Sequence, residues 1–530
     1  MKKVIYNEKA TNTACALLLA GAGIGCSQSG YNNLQEDFVS QNNQPNIIII
    51  YADDVGYGDL GVYGSELIPT PHLDQLAEEG ARFTSAYAMS STCTPSRYSL
   101  ITGKYSFRHP EANILPSDAP ILIEPGEINM AQMLKSAGYR TGVIGKWHMG
   151  IGDGDIDWNT EIRPSPLDIG FDVSFVIPGT NDRVPTVWVD GHNVYNLSED
   201  DEPLRVSFRG RVGNLPTGIS HPEKLIYPTD RYHSGTIVNG ISRIGWQDGG
   251  QSAWWSDQNM GMDILDRSRT FIEESTNDPF FLFMSMHQNH VPRVPHPQFE
   301  GASATGLRGD HVVELDYIVG QVVETLDNLG IREETLVIFT SDNGPVFQDS
   351  YYDGAIELAQ GHLANGPFRG GKYHVYEGGT RMPTITNWPG VITPGEVSDV
   401  VMSQVDLLAS LAALVGVEIP AEVELDSKEH HSAWLGREAD DRDYVIQHGI
   451  GMYAIRKGDW KLILAGDTPQ WVDHRHNHYQ NPVSTPLPPS DKHSLFNLID
   501  DPGESVNLVD EYPGKVEELL GFFYEIKGRD

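Results

Sequence analysis

Three short runs along the chain are apolar almost throughout: 46–51, 279–286 and 335–340. A run of that length without polar alternation marks a strand buried on both faces, as in a parallel sheet covered by helices. Segments with helical spacing lie between them. Residues 70–80 open on Thr-Pro and close on Gly, and 130–136 and 263–274 also read as helices. The 310–329 segment is amphipathic, with Val312, Leu315, Ile318, Val319, Val322 and Leu326 among its apolar positions. Strands at 82–87 and 140–144 and an apolar helix at 404–415 complete an alternation of strand and helix. The expected fold is α/β: a large mixed, mostly parallel sheet flanked by helices. From 152 to 258 the periodicity dissolves into Gly, Pro, Trp and Asp, as in loops that build substrate walls or lids. Short strands at 444–447, 453–456 and 460–464, with a helix at 515–527, predict a smaller antiparallel sheet plus helix. The boundaries follow as 45–418 for the main domain and 419–530 for a C-terminal α+β subdomain.

The predicted strands end in polar clusters. Asp53-Asp54 follows the first, Gly145-Lys146-Trp147-His148 the second, His287-Gln288-Asn289-His290-Val291-Pro292-Arg293 the third and Ser341-Asp342-Asn343-Gly344 the fourth. In open α/β sheets ligands sit beyond the carboxyl ends of the strands, so four such endings imply one site on one edge. Adjacent carboxylates there suit a hard divalent cation, and Asp342 with the amide oxygen of Asn343 would complete an all-oxygen set. Taken singly, each cluster has a plainer explanation: an Asp-capped turn, a surface lysine, a packed histidine. Within 178–185, Asp182 and Arg183 form either a sugar-binding pair or a salt-bridged loop. Arg369 and Lys372 fall in a basic stretch, 366–383, that reads as flexible.

Ser91-Thr92-Cys93-Thr94-Pro95-Ser96-Arg97 reads as a helix start, with Thr94 as cap and Pro95 in the first turn. Cys93 then stands just before a helix N-terminus with Arg97 one turn on, a place for an anion and for an activated sulfur or oxygen. A lone cysteine is more often a packed structural one. Cys-x-Pro-Ser-Arg, however, resembles the modification signature of the type I, formylglycine-dependent sulfatases, and Gly145-Lys146-Trp147-His148 resembles their second signature. The resemblance extends from about Pro45 to the C-terminus, and is nearest to arylsulfatase-like bacterial carbohydrate sulfatases of the alkaline phosphatase superfamily.

That resemblance implies a mechanism. A maturation enzyme converts Cys93 to formylglycine, and one hydroxyl of its hydrate attacks sulfur. Calcium, with magnesium the alternative, is bound by Asp53, Asp54, Asp342, Asn343 and the residue at 93. Arg97 and Lys146 hold the nucleophile in its charged form. Lys372 and His290 neutralise the sulfate, and one of them protonates the leaving alcohol. His148 deprotonates the second hydroxyl, which expels sulfate. Asp182, Arg183, His287, Arg293 and Arg369 are the expected substrate-side groups, with His287 also competing for the role of His290. The substrate implied is a sulfated sugar or polysaccharide fragment. The alternatives are a phosphatase or phosphonate monoester hydrolase of the same superfamily, or a non-catalytic glycan-binding lipoprotein.

Charge narrows the partners. The 530 residues hold 37 Lys and Arg against 73 Asp and Glu, a net charge of −36, which repels nucleic acid and anionic membranes. A sulfated ligand therefore needs a local basic pocket. Met1-Lys2-Lys3, the apolar 14–20 stretch and Gly23-Ile24-Gly25-Cys26 resemble a bacterial export signal with a lipoprotein cleavage box over 1–26. Cys26 is then the expected lipidation site, 27–44 a tether, and the compartment the periplasm or outer membrane. A plain secreted protein is the competing reading. Of three cysteines, only Cys93 remains beyond Cys26, so the mature body has no internal disulfide.

Overall fold

The computed structural model describes residues 44–467, 469, 471 and 491–528. The export signal, Cys26 and the tether up to residue 43 lie outside the described residues.

Four strands carry the site: β1 (Asn46–Ala52), β2 (Arg140–Lys146), β3 (Phe280–Ser285) and β4 (Thr335–Ser341). Every residue of β1, β3 and β4 is buried, which accounts for their unbroken apolar runs. β1 lies at the centre, parallel to β3 on one side and to β4 on the other, and β2 pairs in parallel with β3. Their carboxyl ends therefore share one edge. Among the described residues the sheet has ten strands; Val173–Ile177 extends the parallel core beyond β2, and Thr384–Asn387 pairs antiparallel with β4. Three helices matter below: α1 (Cys93–Thr102), α2 (Met260–Glu274) and α3 (Leu307–Leu329). Ile264 and Leu265 of α2 and Leu315, Ile318 and Val322 of α3 share a core with Ile48, Ile50, Leu282 and Val337 of the sheet. This buries one face of the sheet and fixes the strand tips.

A four-stranded antiparallel sheet (Val445–Gly449, Met452–Lys457, Trp460–Ile463, Ser494–Asn497) and the helix Pro513–Lys527 form the C-terminal α+β part. Its edge strand reaches the site: Ser91 N donates to His448 O at 2.9 Å and His448 N to Met89 O at 2.9 Å. The small sheet thus holds the loop that leads into Cys93.

Three local expectations are corrected. The 82–87 strand is two short strands, Ala81–Phe83 and Ala86–Tyr87. Helix α1 starts earlier than its Thr-Pro pair suggests: Thr92 is the extended N-cap residue (φ −145°), and the Thr94 hydroxyl donates instead to His148 O at 2.8 Å. The basic stretch 366–383 is not a loose loop, because its charged side chains are tied to the β1 tip and to the C-terminal part. Lys372 meets Asp54 at 2.8 Å, Arg369 donates to Glu504 O at 2.6 Å, and Glu377 meets Lys461 at 2.9 Å.

Candidate active site

The tips of β1 and β4 bring the acids together. Asp342 N donates to Ala52 O at 3.1 Å, and Asp54 N lies 3.3 Å from Asp342 Oδ1. Cys93, in the first turn of α1, faces this group: its Sγ lies 3.6 Å from Asp53 Oδ1. Ligand atoms of Asp53, Asp54, Asp342 and Cys93 all fall within 4.8 Å of one another, and all four residues are buried. Asp54 (φ 58°) and His148 (φ 55°) hold left-handed backbone, as does Tyr373 (φ 78°) beside Lys372. Non-glycine residues adopt that conformation at a cost of about 1–3 kcal/mol each, and such strain gathers at functional sites.

Each acid has a close cation, and Arg97 also reaches Asp53 Oδ1 at 3.9 Å. Lys146 Nζ is 2.5 Å from Asp53 Oδ2, Lys372 Nζ 2.8 Å from Asp54 Oδ2 and Arg97 2.8 Å from Asp342 Oδ2. The three charges of each sign balance, so a bound divalent cation leaves the floor net positive and suited to an anionic ester. The donor set fits such an ion. Asn343 spends its Nδ2 on Asp54 Oδ1 (2.7 Å) and Gly344 O (2.9 Å), while its buried Oδ1 has no hydrogen-bond partner. A buried amide oxygen without a hydrogen-bond partner, on a residue whose amide nitrogen meets a carboxylate of the set, is a ligand that a hard cation can use. Burial raises the Asp53 carboxyl to about 7 despite Lys146, with Asp342 and Asp54 adding to the rise. Burial also works against ionised Asp342, but Arg97, then Lys146 and Lys372, hold it below the usual range.

Burial pushes the Cys93 thiol up to about 12, against the pull of Lys146 and Lys372. Of the two expectations, an activated sulfur or an activated oxygen, burial works against the sulfur. At neutral pH the group is a protonated thiol, a poor nucleophile, whatever the helix N-terminus contributes. His148 is held neutral, its pKa pushed well down by burial and by Lys146 and Arg183. Its Nε2 faces the Leu115 carbonyl at 3.0 Å and so carries the hydrogen; Nδ1 has no partner and keeps its lone pair for a proton. A ring nitrogen of His290 lies within 4.8 Å of the Cys93 and Asp53 ligand atoms, and His290 Nδ1 is 3.1 Å from Asn181 Oδ1. Burial opposes the charge on Lys372, but Asp54 raises its pKa well above normal, so it stays a cation.

Above this floor opens a cavity of about 570 Å³ lined by Cys93, His148, His290 and Lys372 and, on its walls, by Asp182, Arg183, Asp230, His233 and Asp349. Asp182 meets Arg183 at 2.8 Å, and His233 bridges Asp182 (3.4 Å) and Asp230 (3.1 Å). Burial disfavours the His233 charge, but the two carboxylates outweigh it and raise the pKa.

Comparison with known proteins is decisive on the family. The model of a family described as Sulfatase matches residues 45–417. The chain belongs to the sulfatase family. It is 42% identical over 519 residues to an N-acetylgalactosamine-6-O-sulfatase of Bacteroides thetaiotaomicron, covering 97% of this chain and 98% of that one. It is 32% identical over 488 residues to human arylsulfatase A, covering 90% and 85% of the two chains. A solved chain reported with the metabolism of multiple glycosaminoglycans by Bacteroides thetaiotaomicron superposes with a TM-score of 0.87 at 42% identity, covering 92% of this chain and all of the other. The protein is a sulfuric ester hydrolase with the alkaline-phosphatase-like fold of the family.

Within this sulfatase, three of the expected substrate-side residues stand apart from the cavity lining. His287 is buried against the His311 ring (5.1 Å between centroids). Arg293 is fully buried and committed to Asp353 at 2.7 Å and to the carbonyls of Val346, Phe347 and Asn289. Arg369 bonds Glu504 O and lies over the Tyr376 ring. Each is drawn into packing because a buried guanidinium or imidazole needs partners where it sits. Asp182 and Arg183 do line the cavity. Sequence reasoning missed Asp230 and His233, which lie in the aperiodic region, and Asp349, which accepts from Tyr373 Oη at 2.6 Å and lies 3.5 Å from Lys372. It also missed Ser285, at the end of β3, whose hydroxyl bonds Arg97 and Lys146 O and so fixes the guanidinium.

Proposed function

We propose that this sulfatase removes the 6-O-sulfate of N-acetylgalactosamine in sulfated glycans, with Cys93 matured to formylglycine and calcium bound by Asp53, Asp54, Asp342 and Asn343. The name and high identity of the Bacteroides relative support the sugar and the position. Most support for the chemistry comes from one observation: a thiol held protonated, 3.6 Å from the acid set, at the only cysteine among the described residues. A hydrated aldehyde supplies an oxygen nucleophile where the thiol is inert, and a divalent cation supplies Lewis-acid polarisation of sulfate and acidification of that oxygen.

The chain's own groups do the rest. Arg97 and Lys146 place positive charge against Asp342 and Asp53 and stabilise an anionic oxygen at position 93. Lys372, kept cationic by Asp54, binds sulfate oxygens. His290 has Nδ1 spent on Asn181, which leaves Nε2 to reach the leaving oxygen. Burial first, then Lys372 and Lys146, depress the His290 pKa; an incoming sulfate offsets the two cations and favours a proton on the ring, which it can pass to that oxygen. His148, neutral and with Nδ1 open, takes the proton that must leave the second hydroxyl at position 93 as sulfate departs. Asp182, Arg183 and His233 offer paired donors and acceptors to sugar hydroxyls. The balance is ester plus water to alcohol plus sulfate. A formylglycine-generating enzyme is the required partner, and a lipid on Cys26 is the proposed anchor. Among the described residues no helix is long and apolar enough to cross a membrane.

The test is a panel of 6-sulfated and 4-sulfated N-acetylgalactosamine, an aryl sulfate and an aryl phosphate. The 6-sulfate is expected to give the highest kcat/KM and the phosphate the lowest. Arg183→Ala is expected to raise KM for the sugar roughly tenfold while sparing the aryl sulfate, the size of one lost charged hydrogen bond. Preference for the 4-sulfate or the phosphate, or an equal loss on the aryl sulfate, would refute the assignment.

A further inference from the structure

Five aromatic rings are counted among the exposed large apolar side chains of the described residues: Tyr232, Tyr352, Trp471, Tyr512 and Tyr524. Tyr512 rests on Trp460 and Tyr524 on Phe523, both on the C-terminal part. The other three all line the mouth of the active-site cavity, joined there by the exposed Ile114. Scattered exposed apolar side chains need no explanation, but convergence on one mouth marks a contact surface. Tyr232 is 67% exposed and Tyr352 51%, whereas Cys93, His148 and His290 on the floor are at most 4% exposed. The cavity thus runs from a charged, buried floor to an aromatic rim.

The rim is built rather than loose. Asp230 N donates to Ser350 O and Tyr352 N to Pro228 O, both at 3.0 Å, so the loops carrying the two tyrosines are stitched together. Asp230 also caps the short helix Arg231–His233 that carries Tyr232, accepting from Tyr232 N at 2.9 Å and His233 N at 3.0 Å. The Tyr232 hydroxyl is met by Arg231 at 2.7 Å, which steadies the ring.

We infer that Tyr232 and Tyr352, with Trp471 beside them, form a stacking subsite for a second, unsulfated sugar ring next to the one whose sulfate is cleaved, so that the preferred substrate is an oligosaccharide rather than a monosaccharide. Tyrosine and tryptophan offer a flat apolar face with a polar tip, which suits the C–H face of a pyranose whose hydroxyls stay wet. The carboxylates of Asp230, Asp182 and Asp349 line the same cavity and disfavour a second anionic group close to the first. The inference rests on the sulfated-glycan reading above.

The experiment compares kcat/KM on 6-sulfated N-acetylgalactosamine and on a disaccharide and trisaccharide carrying that sugar at one end and neutral sugars beyond it. The wild-type enzyme is expected to favour the longer substrates by about tenfold. The Tyr232→Ala/Tyr352→Ala double variant is expected to lose that advantage while its rate on the monosaccharide stays the same. Tyr232→Phe/Tyr352→Phe is expected to retain it, because stacking does not need the hydroxyls. An equal loss on all three substrates, an unchanged length preference in the alanine variant, or no preference in the wild type overturns the subsite while leaving the sulfatase reading intact. No turnover of any of the three sugars by the wild type overturns the sulfated-glycan reading and the subsite with it.

Discussion

Cys93→Ala is expected to lower kcat by about five orders of magnitude, the scale seen when a nucleophile is removed from a site that acts as a unit. The acids and imidazoles around position 93 do not replace it. Asp53, Asp54 and Asp342 are tied to Lys146, Lys372 and Arg97, and His148 and His290 are neutral bases rather than oxygen nucleophiles. The substitution removes one small side chain, so Tm measured by calorimetry is expected to move by only a few degrees. Loss of activity with the fold retained separates chemistry from stability. Cys93→Ser is the sharper variant. It keeps one oxygen at this position but not two, so sulfate transferred to it cannot be expelled by a neighbouring hydroxyl. A single turnover followed by arrest, with sulfate retained on the protein, is the expected record. Ordinary turnover in Cys93→Ala would remove the nucleophile from the account.

Chelation of divalent cations is expected to abolish turnover and to lower Tm by about 2–3 °C, since a ligand present at a hundred times its Kd contributes about 2.7 kcal/mol against the unfolding entropy of a chain this long. The origin is three buried carboxylates and the unpartnered Oδ1 of Asn343. The effect depends on pH, with a sign that follows from Asp53. Its carboxyl in the folded, cation-free protein is raised to about 7 from an ordinary value of 3.8. The proton it retains stabilises the cation-free fold fully below about 3.8, and that contribution is lost progressively as pH rises from there through 7. A cation must displace the same proton below pH 7, so its affinity falls by up to about tenfold per pH unit there. The Tm difference between calcium-loaded and chelated protein is therefore expected to be larger at pH 8 than at pH 6. Equal Tm values with and without cation at both pH values would remove the metal from the site.

The strand tips were legible because burial on two faces forces an unbroken apolar run, and the run ends where polar chemistry begins. Asp53, Lys146, His290 and Asp342 follow from that rule, since parallel strands must end on one edge. Asp230 and His233 were not legible. They sit in a segment without periodicity, and only the pairing of the 228–233 and 350–352 loops brings them to the cavity. The start of α1 misled because the Thr94 hydroxyl has a better partner in the His148 carbonyl than in its own helix. The left-handed backbone of Asp54 and His148 carries no glycine signal, as the surrounding structure imposes it. Arg293 and Arg369 show the limit of reading charge from sequence: a basic residue near an anion site in the chain is as readily spent on buried carbonyls.

The central claim is that the residue encoded as Cys93 acts as an aldehyde-derived oxygen nucleophile. It is tested most directly by the mass of the proteolytic peptide containing position 93, taken from catalytically active protein. The account predicts a residue in which the sulfur and two hydrogens of cysteine have been replaced by one carbonyl oxygen. A fully active preparation in which that peptide carries an unmodified thiol would contradict it.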